Sequence, residues 1–260
     1  MAGQIIAERD GSIGWLIIDQ QERRNAVSLE MWEALPDAMS RLDDDPEVRV
    51  IVLRGAGDRA FVAGADISQF EQQRTGDAAP RYDAATAAGY GAVSSAMTPT
   101  VAMIHGPCVG GGLGLALSCD IRYCDSDARF TIPAAKLGIG YPPSGIAQLV
   151  NVVGPAIAQE VLFSAKLFDA EHALRWGLVN EVLPSADLEG HVVDMAERIA
   201  ANAPLSHRVT KLTVRDLTRM RELAESVAIG EAIAACRDSH DYHEGIRAFM
   251  DKRRPDFRGS

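Results

Sequence analysis

The triplet Gly110-Gly111-Gly112 stands between a strand-like run and the apolar segment "LGLALS". Glycines at that junction leave backbone N–H groups unshielded at the positive end of a helix, where an anion or a developing oxyanion can be held. The same glycines also permit close helix–strand packing, and both readings stay open. The spacing does not fit a dinucleotide-binding turn: Gly112 and Gly114 supply a GxG, but the third required position is Leu117. A second segment, "GDRAFVAGADIS" at 57–68, places Ala63, Gly64, Ala65 and Asp66 after another apolar strand. Two such loops can supply two convergent amides, the arrangement that stabilises an oxyanion during acyl chemistry.

Other chemistry-bearing residues are weaker. His240, Asp241 and His243 have HxxH spacing without a third ligand or an HExxH pattern, so no metal is expected there. His105 reads as a satisfied core histidine. The chain carries no GxSxG elbow and no Walker loop. Glu71, Asp77 and Asp83 are acids without an assigned role.

The elements that must position these loops follow from patterning. Strands are expected over about Ile5–Arg9 and Ile13–Ile18, joined by the turn pair Asp10-Gly11. Ser28 caps an expected helix to about Leu42, kinked or restarted near Pro36. "VRVIVLRG" reads as a strand buried on both faces, and "TPTVAMIHG" and "CDIRYCD" as further strands. Residues 71–86 are polar enough to suggest a mobile lid. Asp169 caps a helix ending at Gly177, "LVNEVL" is a short strand, and the chain beyond about Asp187 is almost wholly helical. Strand–helix alternation predicts an α/β core over 1–195, followed by a helical C-terminal region over 196–260.

Composition narrows the partners. With 26 basic against 36 acidic residues the formal charge is −10, which gives no general attraction to nucleic acid or anionic membranes. Cys108, Cys119, Cys124 and Cys236 lack paired CxxC spacing, pointing to a reduced, cytoplasmic setting. The N-terminus lacks the pattern of a secretion signal, and no run reaches about 18 uninterrupted apolar residues.

Six segments carry a family resemblance in order: "RRNAVSLEMWEAL", "RAFVAGADIS", "GPCVGGGLGLALSCDIRY", "FTIPAAKLGIGYPPSG", "FDAEHALRWGLVNEVLP" and "GIRAFMDKRRPDF". Together they resemble the crotonase (enoyl-CoA hydratase/isomerase) superfamily over nearly the whole chain. The resemblance implies an α/β spiral of repeated ββα units with a C-terminal helical subdomain, assembled as a trimer or a dimer of trimers. It also implies an acyl-CoA substrate, with coenzyme A as part of that substrate and no tightly bound cofactor. The oxyanion amides then fall at Ala65 and Gly111, and the CoA-binding positions at Arg24, Asn25, Ala26, Val27, Ala63, Asp66, Ile67, Phe249 and Lys252. Asp66 and Asp120 take backbone-bracing work.

One departure matters. The glutamate pair used for hydration in the family falls at Gly114 and Ala134 in this chain. Enolate formation by decarboxylation, which needs no general base, is then the natural candidate, with an atypical hydratase beside it, and Tyr141 resembles a tyrosine that hydrogen-bonds the departing carboxylate in the family's methylmalonyl-CoA decarboxylases. An isomerase, a thioester hydrolase and a silent acyl-CoA-binding subunit are the alternatives. Gly114→Glu with Ala134→Glu is expected to raise hydration if the pocket is otherwise hydratase-like.

Overall fold

The computed structural model describes residues 3–65, 79–137 and 141–218, with 239–241, 244, 248, 251, 253 and 255–260. The lead-in hairpin forms as expected. Strands β1 (Gln4–Asp10) and β2 (Ile13–Asp19) pair antiparallel around Gly11, whose φ of 56° suits a tight turn. β2 then pairs in parallel with β3 (Val50–Gly55), followed by β4 (Thr100–Ile104), β6 (Ile121–Asp125) and β9 (Glu181–Leu183), completing a six-stranded sheet of order β1-β2-β3-β4-β6-β9.

Alternation along these strands explains their continuous apolar runs. In β3 the side chains of Ile51 and Leu53 enter the larger core, while Val50 and Val52 enter a smaller one on the opposite face. β4 divides likewise, with Ala102 and Ile104 on one side and Val101 and Met103 on the other. Helix α6 (Ser185–Ala200) closes the smaller core with Leu188, Val192 and Ala196 at helical spacing. The boundary expected between residues 195 and 196 therefore falls inside α6.

A second, shorter layer comprises β5 (Pro107–Val109), β7 (Arg129–Thr131) and β8 (Phe168–Asp169). Single bridges extend it, Val62 to Cys108 and Val27 to Ala65. The chain thus repeats one unit: a strand of the long sheet, a short extended stretch of the second layer, then a helix. β2 and Val27 lead to α1 (Leu29–Asp43), and β3 with the 62–65 stretch precedes α2 (Ala79–Ser95). β4 and β5 lead to α3 (Gly111–Ser118), and β6 and β7 to α4 (Pro143–Ser164).

Ser28 caps α1 by accepting from the Met31 N–H at 3.3 Å. The helix does not restart at Pro36 but runs on through it as one element. Buried Leu35, Ala38 and Met39 around the proline anchor it on the core, offsetting the backbone bond that proline removes. The expected lid is also corrected where it can be seen: residues 79–86 belong to α2, with Tyr82 and Ala85 buried, and 71–78 lie outside the described residues. The alanine-rich composition of that stretch favours helix, and its apolar positions recur at helical spacing.

Downstream, Asp169 caps α5 (Ala170–Arg175) by accepting from the His172 N–H at 2.9 Å. This bond and the His172 ring hold the Asp169 carboxyl down at about 2. α7 (Pro204–Thr218) follows α6. Cys108, Cys119 and Cys124 are free and buried, and desolvation pushes the thiols of Cys119 and Cys124 up to about 12.

Candidate active site

The site grows from two adjoining loops. Between β3 and α2, Val62 donates to the Pro107 carbonyl at 3.1 Å and accepts from Val109 N–H at 2.9 Å, which fastens this loop to the entry of α3. Ala63 N–H donates to Arg24 O at 3.0 Å, and Val27 N–H donates to Gly64 O at 2.9 Å, fastening its other side to the 24–27 segment. These bonds use both backbone polar groups of Val62, the N–H of Ala63 and the carbonyl of Gly64. Among the described residues, the N–H of Ala65 has no acceptor.

The glycine triplet forms the second loop. Gly110 has φ 52° and ψ −111°, a conformation closed to residues with a Cβ, and donates to Thr131 O at 2.8 Å. Gly111 is the first residue of α3, where an N–H has no intrahelical partner. Its N–H likewise has no acceptor among the described residues. Both Ala65 and Gly111 remain half-buried, whereas Gly112 to Cys119 are buried. Gly112 serves packing: a Cβ there would lie 2.4 Å from the Val62 carbonyl oxygen. The two readings of the triplet therefore apply to different glycines. Gly112→Ala is expected to push the loops apart and to destabilise the fold by about 1–3 kcal/mol, read from the shift of the denaturant midpoint.

The residues assigned to CoA divide in character. Arg24 is exposed, and Arg24 and Asn25 hold successive left-handed conformations at φ 52° and 57°. Asn25 is 1% exposed, and its side chain accepts from Gln20 N–H at 3.1 Å and donates to Ala56 O and Ala60 O at 3.0 and 2.8 Å. That amide shapes the segment and presents no polar atom to solvent. Ala26 and Val27 are buried, with the Val27 backbone bridged to Ala65. Asp66, Ile67, Phe249 and Lys252 lie outside the described residues, as do Glu71, Asp77 and His243.

Ala134 sits half-buried in a 3₁₀ turn over Pro133–Leu137, and Tyr141 is half-buried against the same core. A Cβ on Gly145 would meet the Tyr141 ring at 2.6 Å, so that glycine makes room for it. Asp120 does brace backbone, accepting from Thr100 N–H at 2.7 Å and pairing with Lys211 at 2.7 Å. His105 is a bonded core histidine, its Nδ1 3.0 Å from Asp125 Oδ2.

Sequence reasoning missed an aromatic pair beneath the glycine helix. Trp32 of α1 and Tyr90 of α2 meet edge to face at 5.2 Å between ring centroids. A Cβ on Gly89 would lie 2.8 Å from Trp32, one on Gly111 3.1 Å from Trp32, and one on Gly114 2.6 Å from both Cζ and Oη of Tyr90. The Tyr90 hydroxyl donates to Gly111 O at 3.3 Å. The available signal was the glycine pair flanking Tyr90 inside a helix, which costs helix propensity and so calls for a packing reason.

The comparisons with known proteins agree with this architecture. Residues 8–260 match the family profile described as enoyl-CoA hydratase/isomerase. The chain is 32% identical, over 97% of both proteins, to a crotonyl-CoA hydratase of Syntrophomonas wolfei. It is 34% identical to a peroxisomal Delta(3,5)-Delta(2,4)-dienoyl-CoA isomerase of Arabidopsis thaliana, over 95% of this chain and 93% of the relative. A crystal structure described as an enoyl-CoA hydratase/carnithine racemase from Magnetospirillum magneticum superposes with a TM-score of 0.94 at 36% identity, covering 98% of this chain and 96% of the other. With the repeated ββα spiral and a profile match across nearly all of its length, the chain belongs to the enoyl-CoA hydratase/isomerase (crotonase) family.

Proposed function

We propose that this protein binds an acyl-CoA thioester with its carbonyl oxygen between the N–H groups of Ala65 and Gly111, and there stabilises an enolate formed by decarboxylation of a malonyl-type acyl group. The observation that carries the choice of reaction is at residue 114. The resemblance puts a hydratase glutamate there, but this chain has Gly114, and the Tyr90 ring already fills the space of its side chain. Ala134, at the second glutamate position, offers a methyl group. Loss of CO₂ produces the enolate without a base, and two carboxylates in the pocket would repel the substrate's own. Tyr141 is the proposed partner of the departing carboxylate.

A second reading, hydration or isomerisation, is favoured by the names of the relatives and needs an acid from elsewhere. Turnover of crotonyl-CoA, methylmalonyl-CoA and a 3-enoyl-CoA separates the readings. Release of CO₂ from methylmalonyl-CoA alone is the expected result. Hydration of crotonyl-CoA at ordinary enzymatic rates defeats it, and binding of all three without turnover identifies a silent acyl-CoA-binding subunit.

We also propose a homo-oligomer of trimeric symmetry, in a cytoplasmic setting. α4 is long and apolar enough to cross a membrane by length and composition, yet it is broken at Gly154, where φ is 77° and ψ 164°. Only 17% of its apolar window is buried, and Phe163 near its end and Leu167 just beyond it are 76% and 53% exposed. Such a face suits burial against another copy. Light scattering at micromolar concentration is expected to give a multiple of three subunits, and Phe163→Asp to lower it; a monomeric wild type refutes the assembly.

A further inference from the structure

The enolate that the proposed reaction leaves must be protonated at Cα, and the acids that would manage protons in a hydratase are not at residues 114 and 134. The structure assigns this task to Tyr90, an inference that rests on the enolate reading above. Its hydroxyl stands in the first turn of α3, bonded to Gly111 O at 3.3 Å. It is also 2.6 Å from where the first side-chain atom of residue 114 would be. The phenol therefore occupies the root of the space from which an acid at 114 would reach the acyl group, directly beside the residue whose N–H would hold the thioester oxygen.

This placement is built rather than incidental. Gly89 lets Trp32 of α1 lie against α2, with a Cβ position only 2.8 Å from the indole. Trp32, 1% exposed, then packs against the Tyr90 ring edge to face, and Gly114 leaves room for the hydroxyl end of the ring. Two positions of α3, Gly111 and Gly114, lack side chains beside this hydroxyl, and Gly89 makes room for the indole behind the ring. A buried tyrosine packed in this way keeps its ring in place while the O–H rotates about a single bond, so the donor can swing from the Gly111 carbonyl toward a ligand without repacking.

The step balances. Departure of CO₂ breaks the bond from Cα to the carboxylate carbon and leaves its electron pair in the enolate, with negative charge on the thioester oxygen. Cα takes the Tyr90 proton through that pair as the thioester carbonyl re-forms. The phenolate then recovers a proton from water. The positive end of α3 lies beside the residual charge on the phenol oxygen.

The test is Tyr90→Phe, which keeps the ring and removes the proton, assayed with methylmalonyl-CoA in D₂O. The wild type is expected to give propionyl-CoA carrying deuterium at Cα in a single configuration. The variant, whose CO₂ release needs no proton, is expected to give an equal mixture of configurations, because bulk solvent then protonates the enolate. A role of the ring in packing alone would not alter the configuration. CO₂ release with an unchanged single configuration in Tyr90→Phe, or with a mixture already in the wild type, overturns Tyr90 as donor while the decarboxylation reading stands. No CO₂ release by the wild type from malonyl-CoA or methylmalonyl-CoA sinks the decarboxylation reading and this assignment together.

Discussion

Gly111→Pro is expected to lower kcat on the accepted CoA thioester by about 10²- to 10³-fold, equivalent to about 2.7–4 kcal/mol, the usual loss when one oxyanion donor is removed. The fold should tolerate it. Gly111 is the first residue of α3, the helical position at which proline's missing N–H breaks no intrahelical bond and its fixed φ suits the helix. One local cost is steric, since a Cβ at this position lies 3.1 Å from Cζ2 of buried Trp32, and proline also restricts Gly110 before it. Gly111→Ala carries the same Cβ but keeps the N–H, so the ratio of the two variants isolates the donor from the contact. If Pro and Ala variants with intact circular dichroism have equal kcat, the Gly111 amide holds no oxyanion.

What could be read in advance follows from the range of the interactions involved. The unbroken apolar runs of β3 and β4, the Ser28 and Asp169 caps and the glycine junction at 110–112 are local patterns, and each settles one element on its own. The two-sided burial of β3 was legible because Val50 to Leu53 are apolar without a break, and its physical reason is a core on each face of the long sheet. Residues 79–86 misled because polarity was weighed above period: Arg81 and Asp83 face solvent while Tyr82 and Ala85 are buried. Asn25 belongs to the CoA site through the family resemblance alone, and the sequence did not reveal that its amide bonds the Gln20, Ala56 and Ala60 backbone, because those partners lie up to 35 positions away. Tyr90 could not be placed at all. It lies 24 positions before Gly114, and only the approach of α2 to α3, permitted by glycines on both, reveals that the two occupy one volume.

That shared volume changes the outcome expected when the hydratase acids are restored. Gly114→Glu with Ala134→Glu should still leave crotonyl-CoA hydration undetectable, because the Cβ of residue 114 would have to sit 2.6 Å from the Tyr90 ring and something must shift to admit it. A glutamate displaced in this way has no fixed relation to a thioester between Ala65 and Gly111. Proton transfer depends on that relation, since a general base works only within hydrogen-bond reach of the water it activates. Adding Tyr90→Ala removes the obstruction. Alone, a large aromatic cut to alanine in a packed core costs about 3–5 kcal/mol, but here the glutamate side chain refills part of the cavity. The triple variant is therefore expected to gain hydration over the double by at least about 10²-fold, the lower end of what one positioned acid or base contributes. A rise already present in the double variant would mean that Tyr90 yields easily and does not define the site. Hydration by the wild type would point instead to an acid outside residues 114 and 134, with Glu71 or exposed Asp83 of α2 the first to replace by amides. The order of gains, none with two acids and then hydration once the tyrosine is cut back, is what a steric exchange between Tyr90 and the residue 114 side chain requires.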